Sequence, residues 1–355
     1  MDSFETFPEQ EEAKRLLRAA LTEGPAHAYL FHGPRGVGKR RASLAFAGEL
    51  LADPERAARR VHPDLYVLEP LGDQIRIDPV RHLRRDLHMR PFEAERRVYL
   101  VFGADLMNED AADALLKDLE EPPPYAVVVL VADELGPLPP TIRSRCQHVP
   151  FRRLSQRAIK AHLARRGLAG EELDALARVA AGRLDRAERL LDPDAGERRG
   201  RLIELARSVY LDAEFDPGRA ARRVTELAHE RAAKARTLAE EQATGEETPR
   251  ELEQRVRRAG RGAERDEILE ALDQLSGWYR DLMVVAAGAQ GAALNSDRLG
   301  ELAADGISDR SLPAQAAAET VRDVWRSFEF NVQPALALEA LFVRLRRQLG
   351  GTLSA

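Results

Sequence analysis

The sequence predicts an α/β domain built on a mainly parallel sheet, followed by two all-helical regions. In residues 1–152, short apolar runs alternate with helical patterns, which is typical of a parallel sheet covered by helices on both faces. Residues 153–207 contain short helical patterns broken at glycines, and residues 208–355 contain long ones. We therefore expect three domains with these boundaries.

The predicted strands are short runs rich in β-branched and aromatic residues. They are AYLFHG (28–33), LYVL (65–68), VYLVF (98–102) and AVVVLVA (126–132). One helix is predicted over 39–51. Another is predicted after Asn108, whose side chain can cap the first turn, and prolines 122–124 end it. Strands and helices in this order predict a sheet with helices between its strands.

The C-terminal region shows one apolar stripe at helical spacing. It consists of Ile268, Leu272, Leu275, Tyr279, Leu282 and Ala286. By contrast, residues 230–267 are dense in charge and poor in large apolar side chains. This composition predicts either a solvated helical hairpin or a partly disordered insertion, and in both cases a segment outside the core.

Composition and charge exclude several classes of function. The chain of 355 residues has a net charge of −5, which argues against a protein that coats nucleic acid by itself, although a local basic patch stays possible. Its single cysteine, Cys146, can form neither an internal disulfide nor a cysteine-based zinc site, so we expect no metal and a reducing cytoplasm. No apolar stretch approaches the ~18 residues of a membrane span, and no membrane partner is expected.

The motif GPRGVGKR (33–40) matches a phosphate-binding P-loop except at its last position. Gly33, Gly36 and Gly38 allow the backbone to curl so that successive N–H groups hold phosphate at the start of a helix. Lys39 would reach the terminal phosphates. Arg40 stands where a serine or threonine hydroxyl would bind Mg²⁺, and an arginine cannot ligate a cation.

The second half of a nucleotide-hydrolysing site is also missing. An acidic residue should follow the strand that ends near Val101, but Phe102 and Gly103 stand there, and Asp105 comes too late. The two losses agree and predict a P-loop that does not hydrolyse nucleotide. The alternative is an active P-loop ATPase with an unconventional metal ligand, either Ser43 or Asp105.

Three motifs together carry a resemblance to a known family. HAYLFHGPRGVGK (27–39), ADLMNEDAADALLKDLEEPP (104–123) and LPPTIRSRCQ (138–147) resemble the bacterial clamp loader of DNA polymerase III, an AAA+ machine, and its delta-prime subunits in particular. The resemblance implies a P-loop AAA+ domain, a small helical lid and a helical collar. In the collar, WYRDLMVVAAG (278–288) and NVQPALALEALFVRL (331–345) are also similar to the family.

The resemblance also implies functional residues and partners. Arg145, in the family's Ser-Arg-Cys motif, would be a finger that completes the ATP site of a neighbouring gamma/tau subunit. The chain itself would need no cofactor, and ATP would be bound by partner subunits. Those partners would be gamma/tau and delta, with primer–template DNA and, transiently, the sliding clamp. A gamma/tau-like motor is the alternative within the family.

Two departures from the family affect this implication. Asp185 stands where active relatives carry a sensing arginine in a Gly-x-x-Arg pattern, and Arg183 and Arg186 lie beside it. The interval 51–68, where many relatives have a four-cysteine zinc module, contains no cysteine and keeps only His62 as a ligand type typical of zinc.

Overall fold

The computed structural model divides the chain into two compact units, Met1–Arg189 and Leu190–Ala355. The structure describes residues 3–70, 74–241, 249–306, 310–328 and 332–350. The finer division into three domains, at 152/153 and 207/208, stays a prediction.

The first unit contains a five-stranded, all-parallel sheet. Its strands are β1 (Ala28–His32), β2 (Leu65–Leu68), β3 (Arg97–Phe102), β4 (Ala126–Ala132) and β5 (Gln147–Pro150), in the order β2-β3-β4-β1-β5. The first four confirm the predicted strands. Strand β5 was not predicted.

Nine helices are described in this unit. They are α1 (Glu11–Glu23), α2 (Lys39–Leu50), α3 (Pro54–Ala58), α4 (Ile77–Leu87), α5 (Glu109–Glu120), α6 (Pro140–Arg143), α7 (Gln156–Ala164), α8 (Gly170–Val179) and α9 (Leu184–Arg189). As predicted, Asn108 caps α5: its Oδ1 accepts a hydrogen bond of 3.0 Å from the Ala111 N–H.

Side chains alternate between the two faces of the sheet, so that each face has its own core. On β3, Leu100 and Phe102 belong to the core formed with α1 and α2, whereas Tyr99 and Val101 belong to the core formed with α4 and α5. The predicted α/β class, a parallel sheet covered on both faces, is confirmed. Because of this alternation, Phe102 lies on the same face as α2.

The second unit is helical throughout its described residues. Its helices are α10 (Ala195–Leu211), α11 (Pro217–Glu241), α12 (Pro249–Ala286), α13 (Leu299–Asp305), α14 (Ser311–Ser327) and α15 (Pro334–Leu349). The predicted stripe on α12 is buried from Ile268 to Leu282. In the same core, Trp278 Nε1 donates to the Tyr210 hydroxyl at 3.0 Å, and that hydroxyl lies 2.7 Å from the Asp305 carboxylate.

The charged segment 230–267 occupies the ends of two long antiparallel helices, apart from 242–248, which lie outside the described residues. His229 on α11 lies 3.5 Å from Glu264 on α12. The main apolar core of this unit includes Leu227, Ala228 and Ile268 but no residue between 228 and 268. In its described part, the segment is a helical hairpin in which Ala232 and Ala239 are buried, and none of its residues belongs to the main apolar core.

Among the described residues, we find no helix that combines the length and the apolar character needed to cross a membrane.

Candidate nucleotide-binding loop and arginine loop

The P-loop joins β1 to α2 at the carboxyl end of the sheet. All three of its predicted glycines have positive φ: 135° at Gly33, 77° at Gly36 and 103° at Gly38. A Cβ atom at Gly33 would lie 2.1 Å from the Phe151 carbonyl oxygen, and one at Gly36 would lie 1.8 Å from Asp185 Oδ1. Only glycine fits these positions, because both the backbone angle and the neighbouring atoms exclude a side chain.

The Lys39 side chain is buried and fully engaged within the chain. Its Nζ donates to the carbonyl oxygens of Gly33 at 2.5 Å and Pro34 at 2.7 Å. The same Nζ lies 2.7 Å from Asp133 Oδ1, and only 4% of the lysine side chain is exposed. Asp133 directly follows β4. The cation that the motif assigns to a phosphate is therefore paired with a carboxylate.

Arg40 and Phe102, which stand where metal ligands are expected from the sequence, lie in contact. The Arg40 guanidinium carbon is 4.6 Å from the centre of the Phe102 ring, and that of Arg60 is 5.5 Å away. Both guanidinium groups also lie against one oxygen of Glu69, at 3.1 and 3.0 Å. An aromatic ring and two cations thus stand together where a metal site would need oxygen ligands.

The two alternative metal ligands, Ser43 and Asp105, each make a hydrogen bond within the chain. The Ser43 side chain is buried, and its hydroxyl donates to the Arg40 carbonyl oxygen at 2.9 Å. Asp105 lies in a 3-10 turn and accepts a hydrogen bond from the Glu134 N–H. Burial, followed by the charge of Asp133, raises the pKa of Asp105 to about 6. In the described part of the chain, no three His, Cys, Asp or Glu side chains form a possible metal site.

The first residues of α9 rest on the P-loop. The Leu184 N–H donates to the Gly36 carbonyl oxygen at 2.7 Å, and the Asp185 N–H approaches the same oxygen at 3.3 Å. The Asp185 carboxylate accepts from the Arg183 guanidinium at 3.0 Å. Asp185 therefore lies beside the loop.

Arg145 lies between α6 and the edge strand β5. Its Nη1 donates to the Thr141 carbonyl oxygen at 2.8 Å, and its Nη2 forms an ion pair with Glu120 at the end of α5. About a third of the arginine side chain, 34%, is exposed. The guanidinium is thus held in one orientation while part of it stays accessible to another molecule.

A basic groove lies on α4, lined by Arg81, Arg84, Arg85 and His88. Arg84 and His88 both pair with the buried Asp118. Arg81 forms an exposed pair with Asp78. This groove presents a local positive surface on a chain of net negative charge.

Sequence patterns had not identified four residues of these sites: Glu69, Asp133, Arg60 and Glu120. A signal existed for two of them, because Glu69 and Asp133 each follow a predicted strand directly, at the sheet edge where ligands bind in α/β folds. Arg60 and Glu120 carried no such signal, since only the tertiary fold brings them to Phe102 and Arg145.

Comparisons with known proteins relate the chain to subunits of DNA polymerase III. Residues 9–155 match the family model described as DNA polymerase III, delta subunit. DNA polymerase III subunit delta' of Bacillus subtilis is 31% identical over 204 residues, covering 54% of this chain and 62% of that protein. The delta' subunit of Pseudomonas aeruginosa is 40% identical over 136 residues, covering 34% and 42%.

Gamma/tau-type proteins are similar as well. DNA polymerase III subunit tau of Bacillus subtilis is 30% identical over 170 residues, covering 44% of this chain and 30% of that protein. A solved structure of a gamma subunit-related protein from Thermotoga maritima overlaps 95% of this chain and 99% of its own, with 19% identity and a TM-score of 0.49. The chain spans less than two thirds of the length of the curated relatives named above.

The matched region contains the P-loop, all four predicted strands and Arg145. These similarities relate the first unit of the chain to the delta' and gamma/tau subunits of DNA polymerase III.

Proposed function

We propose that this chain is a delta-prime-like subunit of the DNA polymerase III clamp loader that does not hydrolyse ATP itself. The observation that carries this proposal is the contact between Arg40 and Phe102. Phosphoryl transfer needs a cation to neutralise the charge that develops on the phosphate oxygens. Arg40 at the start of α2 and Phe102 at the end of β3 stand where the ligands of that cation would be expected, and neither can bind a metal ion. The chain would bind no cofactor, and ATP would reside in partner subunits.

The chain then acts in hydrolysis by completing the ATP site of a gamma/tau neighbour through Arg145. Arginine suits this task because it is always charged and its planar fork matches phosphate oxygens. The partly exposed Arg145 side chain, oriented by Thr141 and Glu120, supports the assignment. Delta would be a further partner, and the assembled complex would place the sliding clamp on primer–template DNA.

Contact with DNA would be made to backbone phosphates and not to bases. The groove on α4 supports this, because Arg81 and Arg85 are exposed and adjacent on one helix. Such contacts position a protein on DNA without reading its sequence, which is what a subunit that acts on any primed site requires.

The test is to substitute Arg145 in the reconstituted complex of gamma/tau, delta and this chain. We expect Arg145→Ala to leave folding and assembly intact and to lower the DNA-stimulated ATPase rate and clamp loading, since such a finger contributes about 10³–10⁵ in rate at one site. Arg145→Lys should restore little, because a point charge cannot reproduce the fork. Arg143→Ala, two residues earlier, is the matched control and should be milder. Normal clamp loading by Arg145→Ala would contradict the role of Arg145 in the neighbouring ATP site and leave the chain a purely structural role in the complex.

The alternative, an active ATPase, is tested with the isolated chain. We expect negligible ATP turnover in the presence of magnesium. Arg40→Thr alone should not create activity, because no acid would stand at Phe102. Magnesium-dependent hydrolysis that disappears in Lys39→Ala would favour the gamma/tau-like motor.

A further inference from the structure

The positive groups of the P-loop region face two carboxylates of the chain itself. Asp133 pairs with Lys39, whose other two contacts are loop carbonyl oxygens. Asp185 lies against the backbone of Gly36 and pairs with Arg183. A P-loop binds phosphate through its lysine and its backbone N–H groups, with basic side chains nearby. Here the lysine and the neighbouring arginine already have anionic partners.

The two carboxylates are held in place by different elements. Asp133 follows β4, and Asp185 belongs to the first turn of α9, where the Arg186 N–H also donates to its Oδ1 at 2.8 Å. Burial disfavours the charged form of Asp185, but hydrogen bonds and charges from Arg183, with the charges of Arg189 and Arg35, lower its pKa to about 2. Asp185 therefore stays ionised throughout the physiological pH range.

We propose that Asp133 and Asp185 act as internal substitutes for phosphate and hold the P-loop closed without nucleotide. An incoming polyphosphate would have to separate Lys39 from Asp133, and it would meet the Asp185 carboxylate beside Gly36. Repulsion between like charges in this partly buried position opposes binding, with or without a metal. The hydrogen bond from Leu184 to Gly36 then keeps α9 on the loop in every nucleotide state. This inference extends the proposed non-hydrolysing role and concerns the same loop.

The experiment measures the binding of inorganic pyrophosphate and of ADP, each without magnesium, to the full-length chain by titration calorimetry. The variant is Asp133→Asn/Asp185→Asn, which removes both charges and keeps the side-chain size. The control is Asp174→Asn/Asp323→Asn, which removes two ion-paired carboxylates on α8 and α14. We expect the P-loop variant to bind pyrophosphate at least about tenfold tighter than the wild type and the control.

Two outcomes overturn the proposal. In the first, the wild-type chain binds pyrophosphate or ADP as tightly as the double variant. In the second, the folded double variant binds no tighter than the control. If the double variant does not fold, Asp133→Asn alone serves as the test, because 44% of the Asp133 side chain is exposed and its loss disturbs the core least. Wild-type binding as tight as that of the double variant, without hydrolysis, would end this inference and leave the proposed role of Arg145 untouched.

Discussion

The ion pair with Glu120 affects how Arg145 could contact a phosphate of a neighbouring subunit. The carboxylate and the Thr141 carbonyl oxygen each engage one N–H group of the guanidinium, which has five. The two acceptors do not use the remaining N–H groups, and the side chain loses less rotational freedom on docking because it is already ordered. The two acceptors thus support a finger that is oriented before its partner arrives.

Asp105 gives a pH-dependent test of the carboxyl end of the sheet. Its pKa of about 6 lies above that of an unfolded aspartate. The folded state therefore binds more protons than the unfolded state between about pH 4 and 6, and the stability of the fold falls as the pH rises through this window. We expect Asp105→Asn to increase the free energy of unfolding by about 1–2 kcal/mol at pH 7.5 and to have almost no effect near pH 4.

Denaturant unfolding at the two pH values measures this effect. Asp113→Asn, on the exposed side of α5, is the control and should change little at either pH. An equal gain from Asp105→Asn at pH 4 and pH 7.5 would mean that the pKa of Asp105 is not raised in the folded state.

At the scale of elements, burial explains which parts of the fold were predictable from sequence. Strands β1, β3 and β4 are buried on both faces and therefore appear as continuous apolar runs. The edge strand β5, Gln147–Pro150, exposes its first two residues and has no such run, so it was missed. The P-loop was predictable because its glycines lie within six residues of one another in the sequence. The contact of Arg40 with Phe102 was not, because it depends on which face of the sheet the Phe102 side chain occupies.

The α11–α12 hairpin gives a prediction about an element. Deleting residues 230–267 and joining the helices by a short Gly/Ser linker should leave cooperative unfolding of the first unit intact. His229 on α11 lies next to Glu264 on α12, so the two ends left by the deletion, residues 229 and 268, come from neighbouring turns of the two helices and a short linker can join them. The main apolar core of the second unit contains no residue between Ala228 and Ile268, so the deletion leaves that core in place.

Differential scanning calorimetry of the deletion variant checks this prediction. Ile268→Asp places a charge in the core of the second unit and is the destabilising control, which should lower the transition of that unit alone. Loss of the first unit's transition on deletion would show that residues 230–267 are needed to stabilise it.

At the scale of the whole molecule, charge limits how this chain could meet DNA. Its net charge of −5 opposes general attraction to a polyanion, so any contact must come from a local surface such as the α4 groove. Arg84 and His88 are held by Asp118, whereas Arg81 and Arg85 carry mainly exposed partners on α4. The latter two are the arginines best placed to exchange those partners for phosphates.

Arg81→Ala/Arg85→Ala should therefore weaken binding of the reconstituted complex to primer–template DNA equally for all sequences. Each lost phosphate contact reduces the slope of log K against log salt by about 0.9, so the double variant should lower the slope by about 2. The measurement is fluorescence anisotropy over a series of salt concentrations, with Arg165→Ala/Arg166→Ala, two exposed arginines after α7, as the control of equal charge. A slope that is unchanged, or that falls equally in the control, would show that the α4 groove does not contact DNA and that the charge of the chain acts only at long range.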